Sequence, residues 1–275
     1  MNTFDPRHVR KTILDMAYSG STVHIGCAFS IVELLATLYR SHLKFDPLHP
    51  NAPDRDYMVL SKGHGVMAQY ACMRERGWLS DADIDGYFAD GSALKGLSDS
   101  RVPGLEVTSG SLGHGFSVAV GIAMGLKRLG SDQKVFALVG DGELNEGPNW
   151  EGALVAAHHQ LDQLMMVVDQ NGFQAMGRTD DVLSLGDLPA KLASFGFVVQ
   201  EVDGHDEAAI DAAVRALWQT GAGRPKALVS RTVKGRGVPF MEHQNQWHYT
   251  RLTAATYDQA LTAVAASAMT PGAPT

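Results

Sequence analysis

The sequence predicts an α/β fold in which helices cover both faces of a central parallel sheet. Three segments that are apolar along their whole length are each followed by a segment with helical periodicity. Strands that are apolar throughout are typical of parallel sheets buried on both faces. The chain has 275 residues, of which 45% are hydrophobic and 19% charged, so it can build one such domain with a sizeable core.

The predicted elements follow one another along the chain. The apolar spacing predicts helices over residues 7–19, 30–43, 64–77, 116–129, 149–160, 187–195 and 206–220. Strands are predicted over residues 57–62, 134–139, 164–169, 197–202 and 226–233. We expect Ser30 to be the N-cap of the second helix and Gly77 to end the third. Residues 90–113 are rich in Gly and Ser and predict a loop.

The domain organisation is predicted to be simple. Residues 1–255 contain no internal repeat and no linker-like segment, so we expect them to form one domain. Residues 256–275 are expected to hold the end of a helix and a flexible tail. The last part of this tail, TAVAASAMTPGAPT, consists mostly of small residues and is expected to fray.

The charge pattern excludes several classes of protein. The net charge is −7, and no face dense in Lys or Arg is evident, which argues against a nucleic-acid or anionic-membrane partner. Cys27 and Cys72 are the only cysteines, so a disulfide framework is not expected. The N-terminal segment does not resemble a signal peptide, and no apolar run reaches the roughly 20 residues that span a bilayer. We therefore expect a cytoplasmic protein.

Two polar turns follow neighbouring predicted strands. Gly140-Asp141-Gly142 comes directly after one strand, and Asn171 follows the next strand thirty positions later. A parallel βαβ unit takes about 30 residues and returns the chain to the same edge of the sheet. Carboxylate and amide oxygens at that edge suit Mg²⁺ or Ca²⁺ better than Zn²⁺. A diphosphate can complete the metal's coordination, and Gly140 and Gly142 allow it to approach the backbone closely.

These residues carry a resemblance to a known family. Gly140-Asp141-Gly142 through Asn171 resembles the thiamine diphosphate motif, and Glu146-Gly147 followed by Trp150-Glu151 is similar to transketolases in particular. Further segments occur in the family's order: Ser19-Gly20 to His24-Ile25-Gly26, Leu60-Ser61-Lys62-Gly63-His64, Ser109-Gly110-Ser111-Leu112-Gly113 and Trp247-His248. The resemblance covers nearly all of residues 5–250 and implies the thiamine diphosphate-binding fold, in its diphosphate-binding form.

The resemblance also implies a role for each matching residue. Asp141, Asn171 and the backbone carbonyl of Phe173 would hold Mg²⁺, for which Ca²⁺ or Mn²⁺ can substitute. The cofactor-binding residues would be His64, Gly110, Ser111, Leu112, Gly140, Asp141, Gly142, Glu143, Asn171 and His248. The catalytic residues would be His24, His64 and His248, three histidines of a type that handles protons near pH 7. Glu146 would lie at a subunit interface.

The resemblance stops short of a whole transketolase. The second domain of that family binds the cofactor's aminopyrimidine and supplies a glutamate, and residues 178–275 are too few to form it. The chain therefore resembles the N-terminal subunit of a transketolase split into two subunits. We expect a C-terminal partner subunit of about 300 residues, an α2β2 heterotetramer, and a large interface of roughly 2,000 Å² or more.

One loop departs from the family pattern. Transketolases generally carry Gly-His-Pro where this chain has Gly96-Leu97-Ser98, and His114 stands where a Gln is usual. Either Ser98 or His114 replaces the missing histidine, or the donor is not the common ketose phosphate. A modified sugar from specialised metabolism is one such donor.

The sequence leaves three functions open. The first is transfer of a two-carbon ketol unit from a ketose phosphate, or a related sugar, to an aldose acceptor. The second uses an α-ketoacid donor, as deoxyxylulose-phosphate synthases do, and release of CO₂ from pyruvate would reveal it. The third is a non-catalytic cofactor-binding module that has no partner. A nucleotide-binding Rossmann protein is not favoured, because no GxGxxG follows the first predicted strand.

Overall fold

Five parallel strands form the central sheet in the computed structural model of the protein, which describes residues 4–267. The seven strands in chain order are β1 Tyr57–Leu60, β2 Val135–Gly140, β3 Leu164–Gln170, β4 Phe173–Gln174, β5 Gly177–Arg178, β6 Val198–Asp203 and β7 Lys226–Arg231. The spatial order of the parallel sheet is β1-β2-β3-β7-β6, and β4 and β5 form a small antiparallel hairpin. This architecture confirms the predicted fold class.

Helices cover both faces of this sheet. They are α1 Pro6–Ser19, α2 Ile25–Phe29, α3 Val32–Thr37, α4 Val66–Glu75, α5 Asp81–Asp85, α6 His114–Leu129, α7 Gly147–His158, α8 Thr179–Leu183, α9 Leu188–Ser194, α10 Glu207–Gln219 and α11 Ala254–Ala266. Alternate residues of β2 point into separate cores: Phe136 and Leu138 pack in one, and Val135, Ala137 and Val139 in the other. The strands read as continuously apolar because each face is covered.

The predicted helix over residues 30–43 differs from the observed structure. Helix α3 spans only Val32–Thr37, and the chain continues as a π-helical turn over Leu38–His42. Ser30 is not the N-cap of α3, a position that Ile31 occupies. The hydroxyl of Ser30 instead donates to the carboxylate of Asp169 at 2.8 Å. Because it is engaged with this distant buried acceptor, it does not cap the helix.

The C-terminal helix extends into the segment that was expected to fray. Helix α11 continues to Ala266 and packs on α1, where the rings of Tyr18 and Tyr257 stack at 4.4 Å between centroids. The hydroxyl of Tyr257 also donates to Asp15 at 2.7 Å. Residues 262–266 of that segment are helical, its expected fraying stays a prediction, and residues 268–275 lie outside the described part of the chain. The division of the chain at residue 255 stays a prediction.

Residues 90–113 form turns and bends, as predicted, and carry no helix or strand. Among residues 4–267, no helix is both long and apolar enough to cross a membrane. The cysteines Cys27 and Cys72 are both buried and unbridged.

Candidate active site

A cavity of about 680 Å³ lies beside the carboxyl ends of β1, β2, β3 and β7. Apart from Ser111, which is exposed, every predicted site residue lines it: His24, His64, Gly110, Leu112, Gly140, Asp141, Gly142, Glu143, Glu146, Asn171, Phe173 and His248. A larger hollow of about 840 Å³ lies between α1, the end of α4 and α5 and includes none of them. The chemistry-bearing residues therefore identify the smaller cavity as the candidate active site.

The structure joins the two polar turns through one hydrogen bond. Asp141 follows the last residue of β2, and Asn171 follows the last residue of β3. The backbone N–H of Gly172 donates to Asp141 Oδ2 at 2.7 Å, while that of Gly142 donates to Oδ1 at 2.8 Å. Burial and the neighbouring Asp169 carboxylate raise the pKa of Asp141 to about 6. A cation at this carboxylate would offset both effects.

The packing of the chain requires a glycine at position 142, a requirement that the sequence did not reveal. A Cβ at this position would lie 2.6 Å from the Cβ of Gln174, on strand β4. The missing side chain thus admits the β4–β5 hairpin to the mouth of the cavity. This hairpin was not predicted from the sequence, because each of its strands has only two residues.

A buried ion pair supports the floor of the cavity. Lys62, two residues past β1, places its Nζ 2.5 Å from Asp169 Oδ2, and both side chains are almost fully buried. Asp169 Oδ2 also accepts from the side-chain amide of Asn171 at 2.7 Å. This donor fixes the orientation of the amide, so the Asn171 Oδ1 oxygen is held on the other side. Although burial opposes it, the Asp169 carboxylate raises the pKa of Lys62.

Three histidines form a triangle at the cavity. The ring centroids of His24 and His64 are 5.3 Å apart, those of His24 and His248 are 5.3 Å apart, and those of His64 and His248 are 5.5 Å apart. Burial and nearby lysines lower the pKa of all three, that of His248 to about 3. In this state the rings are neutral at pH 7, so they donate and accept hydrogen bonds and carry no charge. The expected proton handling by these histidines stays a prediction.

Glu143 holds the walls of the cavity together. Its carboxylate accepts from the hydroxyl of Ser61 at 2.5 Å and from the backbone N–H groups of Gly113 at 2.9 Å and Gly140 at 3.2 Å. These donors lie in the loop after β1, before α6 and at the end of β2. The carboxyl group is therefore engaged within the protein, and the cofactor contact of Glu143 stays a prediction.

The loop that departs from the family pattern reaches the cavity only through Leu97. This side chain is 43% exposed and lines the cavity. Ser98 is buried, its hydroxyl has no partner within the described residues, and it does not line the cavity. His114 is exposed at the start of α6 and does not line it either. Neither residue lines the cavity of the chain by itself, so the replacement of the missing histidine by Ser98 or His114 stays a prediction.

Several residues that line the cavity were not predicted from the sequence. The most polar of them are Lys62, Asn145, Gln174 and Lys234. Lys62 and Lys234 follow the carboxyl ends of β1 and β7, so the strand-end argument that identified Asp141 would have found them had it been applied to lysines. The apolar rim formed by Met176, Val182 and Leu183 gave no such signal, because its position depends on the β4–β5 hairpin and α8.

The side chains fit a hard metal bound together with a diphosphate. Asp141 and Asn171 provide oxygen atoms, which Mg²⁺ prefers. Among residues 4–267, no group of three or more His, Cys, Asp or Glu side chains could hold a metal by itself. A metal at Asp141 would therefore need backbone, water or phosphate oxygens to complete its coordination.

Comparison with known proteins points to one family. The family described as "Transketolase, thiamine diphosphate binding domain" matches residues 7–266. An apulose-4-phosphate transketolase subunit of Actinobacillus succinogenes is 38% identical over 241 residues, which cover 87% of each chain. A 6-deoxy-6-sulfo-D-fructose transketolase subunit of Clostridium sp. is 36% identical over 254 residues, which cover 92% of each chain.

Solved structures show the same similarity. The transketolase of Campylobacter jejuni superposes with a TM-score of 0.89 at 26% identity, covering 96% of this chain and 43% of that one. The transketolase of Leishmania mexicana gives a TM-score of 0.87 at 26% identity and is covered to 44%. The chain thus spans less than half the length of these solved transketolases.

Proposed function

The chain belongs to the transketolase family, within its thiamine diphosphate-binding domain, and we propose that it holds Mg²⁺ and thiamine diphosphate in the cavity at the strand ends. The observation that carries this proposal is the link between the two polar turns. The Gly172 N–H binds Asp141 Oδ2, which brings the Asp141 carboxylate and the Asn171 turn to one side of the cavity. Asp141, Asn171 and the Phe173 carbonyl are the proposed metal ligands.

The other predicted site residues each have a proposed role in binding the cofactor or the substrate. His64 and His248 are proposed to bind the diphosphate as neutral donors, and Gly110, Ser111 and Leu112 to line the ring region. His24 faces the substrate, where it can pass a proton to or from a sugar hydroxyl. When bound, the cofactor supplies the nucleophilic carbon and the electron sink for breaking a carbon–carbon bond. The chain's own part is to bind, to orient and to exclude water.

Relatives that are named as single subunits of a transketolase imply a second subunit, and we propose that it completes the active site. We propose a partner of about 300 residues, an α2β2 assembly and an interface that includes Glu146, which is exposed at the start of α7. We place the complex in the cytoplasm, where the buried thiols of Cys27 and Cys72 stay reduced.

The proposed donor is a modified ketose. The relatives' names mention apulose-4-phosphate and 6-deoxy-6-sulfo-D-fructose, and Leu97 gives this chain an apolar group at the cavity wall. An apolar wall cannot hydrogen-bond a sugar hydroxyl, so it favours donors that carry a substituent or lack a hydroxyl at that position. An α-ketoacid donor remains the second candidate, since Leu97 would also accept a methyl group.

The first experiment tests the binding and the partner together. A tagged chain is purified from its own host with Mg²⁺ and thiamine diphosphate and examined by native mass spectrometry. We expect retained cofactor together with a second subunit. Asp141→Ala should lose the cofactor, whereas Asp258→Ala, on the exposed side of α11, should retain it. A wild-type chain that arrives only with itself, and without cofactor, contradicts the proposal.

A second experiment addresses the donor. The complex is assayed for two-carbon transfer with ordinary and modified ketose phosphates, and for CO₂ release with pyruvate. Leu97→His should shift the ratio of kcat/KM values towards the ordinary ketose phosphate. An unchanged ratio would show that this position does not select the donor, and CO₂ release from pyruvate would favour the α-ketoacid alternative.

A further inference from the structure

An exposed tyrosine lies at the mouth of the cavity, next to His24. Tyr249 directly follows His248 in the chain and is 71% exposed. Its ring lies edge-on to the His24 ring, with 5.8 Å between the centroids and 76° between the planes. His24 and His248 line the cavity, whereas Tyr249 does not. Tyr249 therefore lies on the outer side of the histidine triangle.

The backbone on both sides of Tyr249 is fixed to the segment that carries His24. The backbone N–H of His24 donates to the His248 carbonyl at 3.2 Å. Two residues after Tyr249, the Nε atom of Arg251 donates to the Ser21 carbonyl at 2.7 Å. The segment around Tyr249 is thus held beside the His24 loop by hydrogen bonds before and after the tyrosine.

The His24 loop is strained where it meets this segment. Ser21 has a φ of 47° and His24 a φ of 70°, in the left-handed region that residues with a side chain seldom adopt. Such conformations persist only where the surrounding structure imposes them, and they are concentrated at functional sites. The strain indicates that the placement of His24 beside Tyr249 serves a ligand and not the stability of the fold.

The surroundings of Tyr249 suit a sugar better than a protein partner. The ring itself is apolar, but its neighbours in the chain are polar: the Thr250 hydroxyl donates to the Gln246 carbonyl at 2.6 Å, and Arg251 is exposed. Protein partners mostly cover contiguous apolar patches. A sugar instead presents C–H groups that pack on an aromatic ring, together with hydroxyls that bond to polar neighbours. A single exposed ring among polar groups is therefore more typical of a sugar site.

We propose that Tyr249 determines donor specificity by packing on the sugar chain beyond the transferred two-carbon unit. This inference rests on the proposed function, in which the cofactor binds inside the cavity and His24 faces the substrate. A sugar chain that extends outwards past His24 next meets the ring of Tyr249. Long ketoses therefore gain this contact, whereas a ketose that ends beside His24 does not.

The test compares long and short donors in the co-purified complex, with Mg²⁺ and thiamine diphosphate present. The long donors are fructose 6-phosphate and 6-deoxy-6-sulfofructose, and the short donor is erythrulose, a four-carbon ketose without a phosphate. Tyr249→Ala should raise KM for the long donors by about 5- to 10-fold with little change in kcat. For erythrulose, kcat/KM should change by less than about 2-fold. Tyr249→Phe should retain most of the wild-type affinity for the long donors, because it retains the ring.

Three controls separate this role from cofactor binding, assembly and folding. The affinity of Tyr249→Ala for thiamine diphosphate, measured by isothermal titration calorimetry, should equal that of the wild type, because Tyr249 does not line the cavity. Native mass spectrometry should show the second subunit still bound, and circular dichroism an unchanged fold. The matched variant is Tyr18→Ala, at a tyrosine that is 40% exposed and lines the other hollow, and it should leave the KM values unchanged.

Each outcome decides a different question. If the wild-type complex transfers no two-carbon unit from any of the three donors, the proposed function fails and the inference falls with it. If the wild type is active and Tyr249→Ala has an unchanged KM for the long donors, only the inference is overturned. An equal loss with erythrulose would show that the ring supports His24 and not the sugar chain. Loss of the second subunit would show that Tyr249 is an interface residue, and either of these results also overturns the inference.

Discussion

The two edges of the parallel sheet treat buried polar groups differently. At the amino edge, the Nζ of Lys226 donates to the backbone carbonyls of Gly221 and Arg224 at 2.7 and 2.6 Å. The carboxylate of Asp56 likewise accepts from the backbone N–H groups of Lys44 and Lys134, each at 2.8 Å. Buried polar side chains at this edge thus bind the main chain of neighbouring loops and hold those loops in place.

At the carboxyl edge, buried charges face other charges. Lys62 pairs with Asp169, and Arg10 pairs with Glu33. Lys234 has no charged partner among the described residues and faces the cavity. The ammonium of Lys226 donates to backbone carbonyls and does not line the cavity, whereas Lys62 and Lys234 do line it. Buried charges thus occur at both edges, but only at the carboxyl edge do the lysines Lys62 and Lys234 line the cavity of the candidate site.

The largest expected effect comes from breaking the Lys62–Asp169 pair. Asp169→Asn keeps the shape but leaves the Lys62 ammonium buried without its counter-charge, so the free energy of unfolding should fall by about 3–5 kcal/mol. Urea denaturation measures this change. The control is Asp54→Asn, which removes an exposed pair with Lys44 and should leave the midpoint unchanged. Equal urea midpoints for the two variants would show that the buried Lys62 ammonium does not depend on the Asp169 carboxylate for its stabilisation.

The second prediction concerns pH and the Arg10–Glu33 pair. Burial alone would raise the pKa of Glu33, but Arg10 and His205 lower it to about 2, from a usual value near 4.5. Because the folded pKa is the lower one, the contribution to stability is complete above about 4.5 and is lost as the pH falls towards about 2. Glu33→Gln should cost about 2–3 kcal/mol at pH 7.

The pH profile distinguishes this effect from simple loss of packing. Urea unfolding at intervals between pH 7 and pH 3 should show the wild type losing stability faster than Glu33→Gln, so the two curves converge in acid. Parallel curves would mean that the carboxylate is not held in its ionised form by Arg10 and His205.

The positions of Asp141 and Asn171 at neighbouring strand ends were predictable from the apolar pattern of the strands and the right-handedness of βαβ crossovers. Asp141 and Asn171 each follow a strand that is apolar throughout, and right-handed crossovers bring such ends to one edge. The register then sets Gly140 beside Asp169. No tertiary information was needed to expect these two residues together.

The burial of Lys234 and the hydrogen-bond partner of Ser30 were not predictable, for the same physical reason. Lysines after strands are common on protein surfaces, and the burial of Lys234 depends on how α2 and the loop around His248 pack over it. Ser30 has the sequence of an N-cap, but its hydroxyl binds Asp169, 139 positions away. A long-range partner overrides a local preference, and apolar periodicity does not record the π-helical turn after α3 either.

A moderate effect is expected where Glu143 joins three loops. Ser61→Ala removes the donor to the Glu143 carboxylate and the acceptor of the Phe116 N–H at 3.1 Å. Unfolding should become easier by about 1–2 kcal/mol, because both groups are buried. Ser117→Ala, at an exposed position of α6, should change the unfolding free energy by less than about 0.5 kcal/mol. If both variants are alike, the carboxylate does not depend on Ser61.

The smallest expected effects are those of replacing Lys226 and Lys234, which should change the free energy of unfolding in opposite directions. Lys226→Met leaves two backbone carbonyls without their donor and should lower the free energy of unfolding of the ligand-free chain by about 1 kcal/mol. Lys234→Met removes a buried charge that has no counter-charge, so it should raise the same quantity by about 1 kcal/mol. Both are measured by urea denaturation without cofactor. Opposite signs would show that Lys226, at the start of β7, stabilises the fold, whereas Lys234, three residues after β7, does not. A loss in both variants would mean that the bonds of Lys234 to His248 and Asn245 outweigh its charge, and the two edges would then differ less than their partners suggest.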